Sequence, residues 1–111
     1  MTHTIDSYLK HFIDELNESQ RHLTEARKIF NREGYLGEDY AHAVDAYGDT
    51  KKILEELETD FLRGRLSEHK NTTKYENERA RMNSQLRGFH SSLLNLLKKS
   101  NSQKLAERRS A

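Results

Sequence analysis

The sequence predicts an all-α fold: an antiparallel three-helix bundle, or a long helical hairpin with coiled-coil-like packing, that self-associates. Three observations predict it. Apolar residues recur every three or four positions along three stretches of similar length. No proline occurs among the 111 residues. The stretch that breaks the rhythm, "NREGYLGEDY" at 31–40, carries two of the five glycines.

The first helix is expected over about 5–32. Ile5, Leu9, Phe12, Leu16, Ser19, Leu23, Ala26 and Phe30 follow at alternating spacings of four and three, and Tyr8, Ile13 and Ile29 widen the stripe. That spacing builds one apolar face on a helix. Gly34 or Gly37 then takes the left-handed conformation that ends it. Tyr35 and Leu36 read as an apolar plug that tucks the corner onto the bundle.

The second helix is expected over about 38–63, with Glu38 and Asp39 at its positive N-terminal end. Tyr40, Ala43, Tyr47, Thr50, Leu54, Leu57 and Phe61 repeat the rhythm. Its end lies at Gly64 or as far on as His69, and a nearly continuous helix through to 99 is also compatible with the proline-free sequence. The third helix, about 73–99, uses Tyr75, Met82, Leu86, Phe89, Leu93 and Leu96. Arg79 interrupts the seam, and its aliphatic stem suits the core edge. Thr73 with Glu76 has the spacing of a capping box. Residues 1–99 thus form one helical domain, and 100–111, with Leu105 as the single large apolar residue, reads as a flexible basic tail.

Composition narrows the function. Ile, Leu, Val and Phe supply 23 residues, about a fifth of the chain, so the core is thin or is completed by a partner. There is no cysteine, which removes disulfides and thiolate metal sites. No apolar run reaches the ~18 residues of a membrane span, and "MTHTIDSYLK" lacks the features of a signal peptide. The expected location is cytoplasmic. The net charge of +1 hides an asymmetry: residues 1–62 hold 14 acidic and 7 basic side chains, and residues 63–111 hold 4 and 12. The split has three readings: the halves attract within one bundle, they attract across a homodimer, or the basic half meets nucleic acid or an acidic partner.

The functional reading is a non-enzymatic protein–protein interaction module, a small adaptor, chaperone or regulator working through an apolar helix face as a homodimer or with another helical protein. Leu93, Leu94, Leu96 and Leu97, with Phe89, cover more than one narrow face, so part of this group is expected at a partner surface. The alternative is nucleic-acid binding by the basic half, with Arg63, Arg65, Lys70, Lys74 and Arg81 as phosphate contacts and Lys98, Lys99, Lys104, Arg108 and Arg109 farther on.

No metal or cofactor is expected. His42 shares a helix face with Glu38, Asp45 and Asp49, and Asp39 precedes it in a D-x-x-H step. Glu15, Glu18, His22 and Glu25 share a face of the first helix. Both sets lie off the apolar seams and read as a solvated acidic surface with local helix pairs. No H-E-x-x-H, phosphate loop or dinucleotide fingerprint occurs.

Two short patterns resemble known families. Arg63 and His69 have the spacing found in HEPN-type helical ribonucleases, with Gly64 where a polar residue often follows the arginine. That resemblance implies RNA cleavage by these two residues. Tyr35-Leu36-Gly37 resembles the W-x-G turn of the small helical-hairpin proteins exported by type VII secretion, with tyrosine in place of tryptophan. Tyr35 to Asp39 matches the Y-x-x-x-D spacing of their export signal, though within the turn instead of after the second helix. That resemblance implies a secreted, partnered hairpin.

Overall fold

The computed structural model describes the backbone of residues 3–110 and the side chains of residues 3–103. Three helices follow one another: α1 (Ile5–Glu33), α2 (Gly37–Leu62) and α3 (Thr72–Ser110). They pack as an all-α bundle 62 Å long and 20 × 16 Å across. No strand occurs among the described residues.

α1 begins with a reciprocal cap between Thr4 and Ser7. The Ser7 backbone N–H donates to Thr4 Oγ1 at 3.0 Å, and the Thr4 N–H donates to Ser7 Oγ at 3.1 Å. Two of the unpaired amides at the helix start are thereby satisfied. α1 ends at Gly34, whose φ of 78° is open to glycine at no steric cost and whose N–H reaches the Phe30 carbonyl.

The corner answers one expectation in halves. Leu36 packs against the core. Tyr35 does not: it is 54% exposed. Its hydroxyl faces the Glu33 carboxylate, which pushes the phenol pKa up. A phenol held by a neighbouring carboxylate at the surface gains nothing by entering the core, so Leu36 alone is the plug.

α2 stops at Leu62. The Gly64 N–H donates to the Phe61 carbonyl and the Arg65 N–H to the Asp60 carbonyl, with Gly64 at φ 68°. This pair of bonds is a Schellman closure, and it rules out a continuous helix from 38 to 99. The connection that follows is anchored by Leu66, which is 1% exposed and belongs to the core. Glu68 Oε2 accepts from the Ile5 N–H at 2.8 Å and ties this loop to the start of α1.

α3 begins one residue earlier than expected, and Thr73 does not cap it. The Lys74 N–H donates to Asn71 Oδ1 at 3.2 Å, so Asn71 is the cap. Asparagine is among the strongest N-caps, and its side chain satisfies the Lys74 amide, which has no helical carbonyl to reach. The boundary near 99 is also absent: α3 continues to Ser110. Residues 100–110 contain neither glycine nor proline and are rich in Gln, Lys, Leu, Ala, Glu and Arg, all good helix formers. Ser100 is buried, and the corner meets α3 at Gln103, whose Nε2 lies 3.0 Å from where a Cβ on Gly34 would stand. The tail side chains of Lys104, Leu105, Arg108 and Arg109 lie outside the described residues.

The core runs the length of the bundle. Phe12, Leu16, Leu23 and Phe30 of α1 meet Ala43, Leu54 and Leu57 of α2 and Met82, Leu86, Phe89 and Leu93 of α3. Phe61 and Tyr75 stack with centroids 3.8 Å apart. Ser19 and Thr50, both on the predicted seams, are fully buried. Each returns its hydroxyl proton to a carbonyl four residues back, Glu15 at 3.0 Å and Ala46 at 2.7 Å. Burial then leaves neither of these two hydroxyls unpaired.

Candidate interaction face

Two helix stripes meet along the groove between α2 and α3. On α2, positions 40, 44, 47 and 51 follow at spacings of four, three and four; on α3, positions 87, 90, 94 and 97 follow at three, four and three. Each set therefore shares one side of its helix. Two contacts pin the stripes together. The Tyr40 hydroxyl donates to the Leu93 carbonyl at 3.0 Å, and partial burial pushes its pKa up. Tyr47 stacks on His90, with centroids 5.4 Å apart and planes 11° apart.

The five residues expected at a partner surface divide here. Phe89, Leu93 and Leu96 are buried in the core, so the bundle itself satisfies them. Leu94 is 39% exposed and Leu97 half-buried. Neighbouring helix positions point about 100° apart; Leu93 and Leu94 therefore cannot both face inward. Val44, 43% exposed, completes the outward patch from the α2 side. Leu62, 79% exposed, lies five full turns farther along the same side of α2. Lys51, Glu55 and Arg87 rim the groove. Val44 and Leu62 flank the seam in sequence, and only packing decides that they stay outside.

The basic residues are less free than their sequence suggests. Lys74 reaches Asp6 at 3.0 Å and Glu68 at 3.3 Å; the Asp6 hydrogen bond in particular raises its pKa. Arg65 lies 3.8 Å from Asp60, and Arg81 lies 3.7 Å from Glu78. Arg79 turns to Glu58 at 3.6 Å. Three pairs, from Arg65, Lys74 and Arg79, thus join the basic half to the acidic half within one chain. Arg63 and Lys70 are exposed at the connection between α2 and α3, and Lys98 and Lys99 are exposed far along α3. Arg63 and Lys70 thus stand toward one end of the molecule and Lys98 and Lys99 toward the other, while Tyr75 and Phe89 are buried in the core.

Arg63 caps α2, and His69 turns its Nδ1 toward the Leu66 carbonyl at 3.1 Å. Both are exposed on the same connection. No described helix is long and apolar enough to cross a membrane. No family model, curated protein or solved structure matches this chain.

Proposed function

We propose that this protein is a non-enzymatic helical interaction module, a small adaptor or regulator, whose α2/α3 face takes up a second copy of the same chain. The observation that carries the reading is the outward patch of Val44 and Leu94 over half-buried Tyr40, Tyr47 and Leu97. Apolar side chains held in water on the two stripes gain from being covered.

One feature favours a second copy as the occupant: the net charge is only +1, so like chains approach with little long-range repulsion.

The test is absolute mass by light scattering at low and high salt after nuclease treatment. The expected result is about twice the 13.1 kDa chain mass at both salts, because apolar contacts survive screening. A monomer at both salts overturns self-association. Salt-sensitive binding of added nucleic acid by the nuclease-treated protein would shift the reading to the basic residues.

A further inference from the structure

We propose that the cleft between α1 and α3 binds the C-terminal end of an extended peptide. The peptide backbone lies along the carboxamides of the cleft, and its terminal carboxylate sits between Arg27 and Lys99. The association face uses α2 and the other side of α3. Ser92 and Leu94 point about 200° apart around α3, so peptide capture and self-association stand or fall separately.

Two hollows of about 450 and 290 Å³ make the cleft, and they join at Arg27 and Ser92, which line both. Together they fall within the range of about 300–1,000 Å³ usual for ligand sites. Positions 20, 24, 27 and 31 of α1 follow at spacings of four, three and four; positions 85, 88, 92, 95 and 99 of α3 follow at three, four, three and four. Each set shares one side of its helix. From Gln85 to Lys99 the cleft runs about 21 Å at 1.5 Å per residue. Extended chain rises about 3.3 Å per residue, so about six residues fit along it.

The lining suits a peptide backbone. Leu23, Phe89 and Leu96, all buried, form the apolar floor. Gln20 and Gln85 line the larger hollow from opposite helices, and Asn31 and Asn95 line the smaller one in the same way. A carboxamide carries both a donor and an acceptor, as each peptide unit does. The Thr24 and Ser92 hydroxyls already donate to carbonyls four residues back, Gln20 at 2.9 Å and Gly88 at 3.2 Å. Their lone pairs are left for a peptide N–H. Gly88 keeps the wall low. Glycine is a poor helix former, yet a Cβ there would meet nothing within 4 Å, so packing does not require it.

Charge selects the end of the ligand. Among the described residues no aspartate or glutamate lines either hollow. Arg21, Lys28 and Arg81 each find a carboxylate three positions back on their own helix. Arg27 and Lys99 have none three or four positions away in either direction, and both line the smaller hollow. The field of a helix end fades within its last turn, and Arg27 precedes the end of α1 by six residues, so the cations set the local sign. One turn beyond Lys99 the corner meets α3, where Gly34 faces Gln103. A cleft closed at its cationic end suits a chain terminus over an acidic segment running through it. A nucleic-acid strand would need repeated phosphate contacts and an open stacking platform; here the two cations stand together and Phe89 is buried.

The experiment is equilibrium dialysis of the untagged full chain against a randomised, N-acetylated hexapeptide pool, with the bound fraction read by mass spectrometry. Peptides with a free C-terminal carboxylate are expected to concentrate on the protein side. Amidation of that carboxylate should lower retention about tenfold, as loss of a charged hydrogen-bond partner does. The double variant Arg27→Gln, Lys99→Gln should lose at least as much, with its circular dichroism unchanged. Gly88→Leu fills the wall with a better helix former; it should abolish retention while the thermal midpoint holds or rises, which a merely damaged fold would not do. Leu94→Ser should retain peptide as the unaltered chain does, whatever its mass in solution. Failure to concentrate any peptide, equal retention of the amidated pool, or undiminished retention by Gly88→Leu overturns the site. Preferential retention of a randomised oligonucleotide pool would overturn it too.

Discussion

Leu93 and Leu94 are adjacent in sequence and identical in chemistry, yet the bundle assigns them opposite work. Replacing Leu94 with serine should weaken association without unfolding the chain. Fully burying a leucine stabilises by about 1.5–3 kcal/mol. Leu94 is 39% exposed, so covering the remainder contributes about 0.6–1.2 kcal/mol per copy on that scale. In a two-fold dimer the change counts twice, about 1.2–2.4 kcal/mol, or roughly a 7- to 50-fold rise in Kd. Leu93, 3% exposed, should behave otherwise: Leu93→Ala should cost about 2–5 kcal/mol of folding stability. Sedimentation velocity across a concentration series gives Kd, and urea unfolding monitored by circular dichroism gives stability. An unchanged Kd for Leu94→Ser with the fold intact would refute the assignment of this face. So would a loss of stability matching that of Leu93→Ala.

Three further outcomes test the fold. Leu66→Ala should destabilise by about 2–5 kcal/mol, read by urea unfolding, although the residue lies outside every helix; a loss below about 1 kcal/mol would show that the α2–α3 connection is not anchored through it. Asn71→Ala should cost about 0.5–2 kcal/mol as the loss of an N-cap, while Thr73→Ala costs little, and the reverse order in thermal melts would return the cap to Thr73. The Tyr8 phenol, its pKa pushed up to about 12 by burial and then by its hydrogen bond to Asp60, adds stability that is full below the ordinary tyrosine value of 10.0 and lost as pH rises through about 12. Tyr8→Phe should therefore flatten the alkaline fall in the urea midpoint over that window, and an identical fall in both proteins would contradict the linkage.

Much of the helical architecture is legible in the sequence because its causes are local. Apolar residues at spacings of three and four line one side of a helix whatever the rest of the chain does. Gly34 and Gly64 end helices because their backbone conformations are costly for other residues. The misread points are also physical. Thr73-x-x-Glu76 has capping spacing, but Asn71 is the better acceptor and comes first. Residues 100–110 have few apolar groups, yet α3 runs to Ser110 through residues of good helix propensity. Leu66 stands alone among polar neighbours, so no periodicity marks it, and only the return of the loop onto α1 buries it.

By itself, the sequence determined three amphipathic helices, the charge division and the absence of thiol chemistry. Tertiary structure decided which residues meet. The division between Leu93 inside and Leu94 outside depends on the rotation of α3 against its neighbours, where Met82, Leu86, Phe89 and Leu96 enter the shared core and the Tyr47–His90 stack and the Tyr40 hydrogen bond link α3 to α2. The meeting of His22 with Asp39, 17 residues away, depends on the corner at Gly34 folding α2 back along α1. Periodicity fixes a side chain's angle around its own helix and carries no information about which helix will stand opposite. That choice belongs to packing, where many weak apolar contacts act together.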